Sequence, residues 1–198
     1  MAEVKTLIDE ETLDNRIQEL ANEISIDYLG KQPVLVCILK GASYFFTDLT
    51  RRINTDSEID FMRVSSYEGE ESTGKVDIKL DLSTDIKDKD VLIIEDIIDT
   101  GISLSGLYDH LLEKNPKSLK LCVLLDKPER RVNHDIKPDY TGFVIPNKFV
   151  IGYGLDKDEK YRTIPYVSCI TTDSDEKMEE DRNNIKKQLV KKKKNILH

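Results

Sequence analysis

Apolar positions in the first part of the chain follow two different periods, one typical of a helix and one of a buried strand. Between residues 12 and 28, aliphatic side chains recur every three or four positions and charged ones occupy the rest, which predicts an amphipathic helix. The run VLVCIL (34–39) is continuous, short and rich in β-branched residues, so we expect a buried strand. The same periods predict a helix over 42–53 and another strand over 59–64.

The middle of the chain alternates between strands and a helix. VDIKL (76–80) alternates apolar and polar residues, as a strand with one solvated face does. VLII (91–94) predicts a central strand, LSGLYDHLLEK (104–114) a helix, and LKLCVLL (119–125) the next strand. A strand–helix–strand succession at this spacing requires a crossover connection. It therefore predicts an α/β fold with a parallel sheet.

The pattern changes after residue 126, where the apolar segments become short. FVI (143–145) and FVIGYGL (149–155) are separated from their neighbours by prolines, glycines and polar residues. We expect this part of the chain to form a small lobe that packs over one end of the sheet.

The composition limits the class of protein. A chain of 198 residues suffices for one large domain, or for one domain with a small appendage. Its formal net charge of −8 argues against a general nucleic-acid binder, because phosphate contacts require an excess of lysine and arginine. Apolar runs are too short to span a membrane, and the acidic start is unlike a signal peptide. Cys37, Cys122 and Cys169 lie far apart among aliphatic residues, which predicts core thiols in a reducing, cytoplasmic compartment.

The end of the chain differs in charge from the rest. Residues 182–197 contain seven basic residues and no acidic one, with only a faint helical pattern of apolar positions. We expect residues 171–198 to form a solvated, charged extension. Weak binding of a polyanion by its lysines is the alternative.

Hydroxyl and glycine residues follow the central strand, where the next helix begins. In an open parallel sheet, ligands bind outside the carboxyl ends of the strands. Backbone amides at a turn into a helix suit a phosphate group, and Gly101 lets the main chain approach it closely. Thr100 and Ser103 add hydroxyl donors. The turn therefore predicts a phosphate site.

Two acids, Glu95 and Asp96, lie just before this turn, where the predicted strand ends. Carboxylates repel a phosphate, but they accept hydrogen bonds from sugar hydroxyls or help to hold Mg²⁺. With the phosphate turn they outline a site for ribose 5-phosphate. A solvated acidic strand end is the alternative interpretation. The sequence contains neither G-x-x-x-x-G-K-[ST] nor G-x-G-x-x-G, the common nucleotide-binding loops.

The stretch EDIIDTG (95–101) after VLII resembles the phosphoribosyl pyrophosphate signature of type I phosphoribosyltransferases. Other segments, in order and with similar spacing over roughly residues 5 to 170, resemble the hypoxanthine-guanine branch of that family. They are LKGASYFF (39–46), similar to the pyrophosphate loop; SSY and STG (65–67, 72–74), similar to the lid; LLDKPERR (124–131), similar to the purine-contacting strand end; and PDYTGFVIPNKFVIGYGLD (138–156), similar to the hood.

The resemblance implies a fold and an assembly. The fold is a parallel sheet with a small hood subdomain over its carboxyl end. Residues 1–170 would form a single domain, with a core of about 30–125 and a hood from 126–170 that includes the N-terminal segment. Residues 171–198 would lie outside it as the Lys-rich extension. A homodimer or homotetramer is implied as well.

The implied activity is purine salvage: transfer of the 5-phosphoribosyl group from phosphoribosyl pyrophosphate to N9 of hypoxanthine or guanine, which gives IMP or GMP and pyrophosphate. By resemblance, Asp99 acts at the purine N7 as general base or acid. Glu95 and Asp96 hold the ribose hydroxyls and magnesium-bound water. Three residues seat the 5-phosphate: Thr100, Gly101 and Ser103.

The resemblance also assigns the remaining subsites. Lys40, Gly41 and Arg162 would meet pyrophosphate, with a non-proline cis peptide before Lys40 as a tendency of the family. Asp156 would ligate a second Mg²⁺. The lid over 65–75 would place Ser66 and Tyr67 over the leaving group. Four residues would contact the purine: Lys127 by donating to O6, Phe149 by stacking on the base, Val150 through its backbone, and Ile97 beneath the other face.

Two departures from the family pattern lie near the base. Asn147 stands where the family often carries an acid, and RVNHDIKPDY (131–140) has one residue more than usual before the hood. The preference among hypoxanthine, guanine and xanthine therefore stays open.

The rival function is a regulatory phosphoribosyltransferase-like protein that binds RNA or DNA and senses phosphoribosyl pyrophosphate; only the basic tail favours it.

Overall fold

The described part of this computed structural model, residues 4–66, 76–133 and 135–170, contains nine strands and three α-helices, with a 3-10 turn at Pro128–Arg130. The helices are α1 (Glu10–Asp27), α2 (Ser43–Thr50) and α3 (Ile102–Leu112). The strands are β1 (Val4–Ile8), β2 (Val34–Leu39), β3 (Glu58–Ser66), β4 (Val76–Leu80), β5 (Asp90–Ile98), β6 (Ser118–Asp126), β7 (Tyr140–Val144), β8 (Phe149–Ile151) and β9 (Val167–Ile170).

Six strands form the main sheet, in the order β4-β3-β2-β5-β6-β7. All neighbours in it pair in parallel except β4, which is an antiparallel edge strand on β3. Because β2 is flanked by β3 and β5, the strand order departs from chain order at the centre, which is where open α/β sheets bind their ligands. The predicted fold class, an α/β fold with a largely parallel sheet, is confirmed.

Helices cover both faces of the main sheet, and the alternation of side chains along its buried strands divides the core. Leu35 and Cys37 of β2 pack toward α1 and α2, whereas Val34 and Val36 pack toward α3. The expectation of core thiols is confirmed, because Cys37, Cys122 and Cys169 are all free and buried. None of the helices in the described ranges is both long and apolar enough to cross a bilayer.

The central strand is longer than its apolar run predicts. β5 continues past Ile94 through Glu95 and Asp96 to Ile98, because its ladder with β6 extends to the pair Ile98–Asp126. The acids therefore lie within the last part of the strand and not beyond its end, which corrects the sequence prediction. Backbone pairing with a long neighbour decides the strand end here, irrespective of side-chain polarity.

A second, three-stranded antiparallel sheet has the order β1-β9-β8. Its outer strand β1 pairs Val4 with Ile170, so the N-terminal segment joins the last described strand. The connection between β8 and β9, residues 152–166, carries Asp156 and Arg162 to the carboxyl end of the main sheet. By contrast, the segment 143–145, expected in the small lobe, largely belongs to β7, which pairs with β6 at the edge of the main sheet.

The buried carboxylate of Asp60, on β3, anchors the connection between β4 and β5. It accepts hydrogen bonds from the backbone N–H groups of Ser83 at 2.9 Å, Thr84 at 2.7 Å and Phe61 at 2.7 Å. Burial alone would raise the pKa of Asp60, but these hydrogen bonds outweigh it and hold the pKa below its ordinary value.

Asp60→Ala is expected to lower the free energy of unfolding by about 2–3 kcal/mol at pH 7, because three backbone donors lose their acceptor. Since the folded pKa is depressed, this contribution is complete above the ordinary carboxyl pKa of ~3.9 and is lost as the pH falls through the folded value. Urea denaturation at pH 7 and below pH ~4 measures both effects. The exposed Asp56→Ala is the control; equal losses in the two variants would contradict the anchoring role.

Candidate active site

A cavity of about 490 Å³ opens at the carboxyl ends of β2 and β5, between the start of α3 and the connection from β8 to β9. Side chains from all of these elements line it. Eleven residues predicted from the sequence lie there together: Lys40, Gly41, Glu95, Asp96, Ile97, Asp99, Thr100, Gly101, Ser103, Asp156 and Arg162.

The turn between β5 and α3 has the geometry of an anion-binding loop. Gly101 precedes α3 with φ of 80°, in the left-handed region that favours glycine, and its carbonyl accepts the helical bond from Ser105 N–H at 2.9 Å. An added Cβ would lie 3.1 Å from the carbonyl oxygen of Asn133. The N-terminus of α3 thus points its first amides and positive dipole end into the cavity, next to the hydroxyls of Thr100 and Ser103.

The two acids at the end of β5, Glu95 and Asp96, both have raised pKa values. Burial, together with the neighbouring Asp96, raises the pKa of Glu95 well above its usual range. Burial likewise raises the pKa of Asp96, although the Arg162 guanidinium partly opposes the rise. Adjacent buried carboxylates are stabilised by hydroxyl donors or by a hard cation, and both fit a sugar bound with magnesium.

The loop after β2 comes extremely close to Asp96. The peptide bond between Leu39 and Lys40 is cis, and Gly41 follows it. A Cβ added at Gly41 would lie 1.7 Å from Asp96 Oδ2, so only glycine fits against this carboxylate. The Lys40 carbonyl accepts hydrogen bonds from Ser43, from Oγ at 2.7 Å and from the backbone N–H at 3.2 Å, which ties the loop to the start of α2.

Charges of alternating sign cross the mouth of the cavity. Lys40 Nζ lies 3.1 Å from Glu159 Oε2, and Arg162 Nη2 lies 3.3 Å from the same oxygen. Arg162 Nη2 also lies 2.9 Å from Asp156 Oδ1. The structure thus brings Lys40 and Arg162 together as predicted, and it adds Glu159, which is not among the predicted site residues.

Asp99, which lines the same cavity, lies between two cations. Arg130 Nε donates to Asp99 Oδ1 at 2.8 Å, and Lys127 Nζ lies 3.9 Å from Oδ2. Lys127 is only 6% exposed, and this burial lowers its pKa although Asp99 opposes the shift. Lys127 thus lies buried beside Asp99, although it is not among the described residues that line the cavity. Arg130, like Glu159, is not among the predicted residues, since only the tertiary contact shows its role.

The other predicted residues are distributed around this site. Phe149 and Val150 begin β8 and, among the described residues, are not part of the cavity lining; the Phe149 ring is 52% exposed and Val150 is buried. Ser66 is the last residue of β3. Tyr67, the remainder of the predicted lid to residue 75, and the extension 171–198 lie outside the described residues.

Comparison with known proteins defines the class of this fold and site. The family model of the phosphoribosyl transferase domain matches residues 4–158, and the chain belongs to this family. Hypoxanthine-guanine phosphoribosyltransferase of Streptococcus pneumoniae is 47% identical over 167 residues, which cover 84% of this chain and 92% of that protein. Hypoxanthine phosphoribosyltransferase of Staphylococcus aureus is a similar solved structure, with a TM-score of 0.81 and 48% identity over 84% of this chain and 91% of that chain.

A longer protein also contains a similar region. Bifunctional protein TilS/HprT of Listeria monocytogenes is 50% identical over 167 residues, which are 84% of this chain but 26% of that protein. The chain thus spans about a quarter of the length of this relative. The resemblance to type I phosphoribosyltransferases and their hypoxanthine-guanine branch is confirmed by these comparisons. The roles of individual site residues stay predictions.

Proposed function

We propose that this protein is a purine salvage enzyme, which transfers the 5-phosphoribosyl group of phosphoribosyl pyrophosphate to N9 of hypoxanthine or guanine. The observation that carries the proposal is that one cavity at the carboxyl end of the sheet joins an anion-binding turn, an acid pair and two basic residues. Similarity to the Streptococcus and Staphylococcus enzymes supports the choice of a 6-oxopurine as acceptor. The products are IMP or GMP and pyrophosphate.

The turn before α3 binds the 5-phosphate. Its Gly101 adopts the left-handed φ of the turn where a side chain would meet Arg131 and Asn133, and the helix dipole favours the negative charge. Thr100 and Ser103 contribute hydroxyl donors. Glu95 and Asp96, which precede this turn on β5, accept hydrogen bonds from the ribose hydroxyls.

Lys40, Gly41 and Arg162 bind the pyrophosphate group. Both cations reach the same point, since Lys40 Nζ and Arg162 Nη2 contact one carboxylate oxygen of Glu159. The planar fork of the Arg162 guanidinium suits a phosphate, and the glycine leaves room beside Asp96. By resemblance to the family, the segment 65–75 with Ser66 and Tyr67 has the role of a lid that excludes water from the leaving group.

The donor set at the acid pair fits Mg²⁺. Glu95, Asp96 and Asp156 all line the cavity, although the described residues hold no group of three or more acids, histidines or cysteines spaced for a metal. Magnesium is commonly held by one or two carboxylates together with substrate phosphates and water, so substrate oxygens would complete its shell. When bound, the metal neutralises negative charge on the departing pyrophosphate.

Asp99 acts as the general base for the proton at the purine N7. As N9 attacks the anomeric carbon, the bond from this carbon to the pyrophosphate oxygen breaks, and the Asp99 carboxylate accepts the proton at N7. Lys127 donates to the purine O6 from its buried position beside Asp99. Ile97 lies beneath one face of the base, the exposed Phe149 ring stacks on the other, and the Val150 backbone reads the exocyclic edge.

The domain and its assembly follow the family. Residues 1–170 form one phosphoribosyltransferase domain, with a core of about 30–125 and a hood from 126–170 that includes the N-terminal segment; the β1–β9 pairing supports that inclusion. The edge strand β7 belongs to the core side of this division. We further propose a homodimer or homotetramer and a cytoplasmic location, the latter supported by the buried free thiols.

The regulatory RNA- or DNA-binding alternative is not favoured, because relatives that the chain matches over most of their length carry enzyme names.

Steady-state rates with hypoxanthine, guanine, xanthine and adenine, each with phosphoribosyl pyrophosphate and Mg²⁺, test the proposal. We expect turnover with hypoxanthine or guanine and kcat/KM for adenine lower by at least about 10²-fold, because adenine presents a donor where Lys127 needs an acceptor. No turnover with any oxopurine would refute the function.

Lys127→Ala is expected to reduce the discrimination against adenine by about 10-fold or more, since the donor that reads O6 is lost. The ratio of kcat/KM values for hypoxanthine and adenine measures it. Lys148→Ala, an exposed lysine in the loop before β8, is the matched control. Unchanged selectivity in the Lys127 variant would rule out its role in base recognition.

A further inference from the structure

The Glu159 side chain occupies the two cations of the pyrophosphate site. A single oxygen, Oε2, lies 3.1 Å from Lys40 Nζ and 3.3 Å from Arg162 Nη2. A glutamate side chain is an anion at neutral pH, so both cations face a negative charge. The carboxylate therefore stands where an oxygen of a bound phosphate would receive the same two donors.

Glu159 lies in a tight turn, and the backbone of this turn is held by several contacts. Asp158 and Glu159 adopt φ values of 54° and 61°, in the left-handed region that non-glycine residues rarely occupy. A β-bridge between Lys157 and Lys160 closes the turn, and Glu159 N–H donates to Asp156 Oδ2 at 2.9 Å. Positive φ at both central residues is what a two-residue type I′ turn requires, so the bridge fixes the backbone from which the Glu159 side chain projects.

Arg162 is positioned without Glu159. Its Nη1 donates to the Gly154 carbonyl at 2.8 Å, and its Nη2 lies 2.9 Å from Asp156 Oδ1. Arg162 is also mostly buried, whereas the Glu159 side chain is 63% exposed and free to swing into solvent. The contact with Glu159 is thus the replaceable one of the three, and its loss leaves the guanidinium in place.

We propose that Glu159 is an internal competitor of pyrophosphate: it covers Lys40 and Arg162 before substrate binds and is displaced when a pyrophosphate group binds. The inference rests on the proposed function, which assigns these two cations to pyrophosphate. Competition lowers the affinity for the group on both substrate and product, and it returns the carboxylate to the cations as the product leaves. Glu159 acts through Lys40 and Arg162 and is not itself a catalytic residue.

Glu159→Gln is expected to bind inorganic pyrophosphate about 3- to 10-fold more tightly than the wild type, because a neutral amide competes only weakly for Lys40 and Arg162. Titration calorimetry of the full chain, with and without Mg²⁺, measures the Kd. In steady state, KM for phosphoribosyl pyrophosphate should fall while kcat does not rise. A role in merely holding the two cations would instead raise both the Kd and KM.

Glu159→Asp separates direct contact from long-range charge. It keeps the charge but withdraws the oxygen by one methylene, so it should share the tighter binding of the Gln variant. Glu19→Gln is the matched control: Glu19 is 65% exposed and pairs with Arg16 at 2.6 Å on α1. Its Kd should equal that of the wild type.

The outcomes are distinguishable from one another. Unchanged or weaker binding in Glu159→Gln, or wild-type binding in Glu159→Asp, overturns the competitor role while the proposed function stands. A wild-type protein that binds no pyrophosphate and transfers no phosphoribosyl group overturns the proposed function itself.

Discussion

Asp99→Asn is expected to lower kcat by about 10²- to 10⁴-fold, the usual contribution of a positioned general base. The amide has nearly the shape of the carboxylate, but it cannot take the proton from N7. Phosphoribosyl pyrophosphate should still bind, because its phosphate turn, acid pair and basic pair are separate residues of the cavity. Single-turnover rates and the Kd for phosphoribosyl pyrophosphate measure the two effects.

The structure supplies a control for this variant on the neighbouring helix. Asp109 is exposed on α3, so Asp109→Asn makes the same charge change outside the cavity and should leave kcat within about two-fold. Arg130→Gln removes the 2.8 Å partner of Asp99 and leaves Asp99 itself in place. A rate near that of the wild type in Asp99→Asn would refute the proton role of this residue.

Gly41→Ala is expected to reduce kcat/KM for phosphoribosyl pyrophosphate by about 100-fold or more. The new Cβ would lie 1.7 Å from Asp96 Oδ2 and 2.8 Å from Cγ, so the buried carboxylate or the whole loop has to move. A displacement of about 1 Å in a positioned group costs on the order of 10²-fold in rate. Steady-state kinetics and calorimetric binding of pyrophosphate measure the loss.

Gly30→Ala separates this local effect from a general loss of stability. An added Cβ at Gly30 meets nothing within 4 Å, yet its φ of 73° makes alanine unfavourable. That variant should lose about 1 kcal/mol of unfolding free energy and keep its kcat/KM. If Gly41→Ala were as active as Gly30→Ala, the close packing of Gly41 against Asp96 would not matter for function.

Periodicity predicts most of the main sheet, because its central strands β2, β5 and β6 are largely buried on both faces and read as continuous apolar runs. The strand over 34–39 coincides with β2, and the helix over 12–28 lies within two residues of α1. The N-terminus of α1 has a local cause, since the Asp9 carboxylate accepts from Thr12 N–H at 2.8 Å. Such elements are determined by neighbouring residues, so the sequence shows them directly.

The short strands β1 and β9 escape prediction for the opposite reason. Each has five residues or fewer, and each becomes a strand by pairing with the other across the length of the chain. The same holds for the last part of β5, where Glu95 and Asp96 are kept in the ladder by β6. Long-range strand pairing therefore determines the extended structure of β1, β9 and the last part of β5, and no local sequence pattern shows it.

The candidate site divides in a similar way. Residues next to the strand ends, such as Asp99 and Gly101, are predicted because the sheet architecture places ligands there. Arg130 and Glu159 are not predicted, because each matters through one contact with a residue far away in sequence. A charged residue in a loop has the same local appearance whether it is solvated or faces a ligand's cations.

The hydrogen bonding of β1 to β9 ties the first strand of the chain to the loop that carries Asp156 and Arg162. Val4 also packs beside Ile151 and Tyr161 under that loop. A fusion partner or purification tag joined ahead of Val4 is therefore expected to disturb the β1–β9 pairing, and with it the loop that holds Asp156 and Arg162, although the tag is remote from these residues in sequence. Kinetic constants from differently tagged forms of the protein are comparable only where this strand keeps its register.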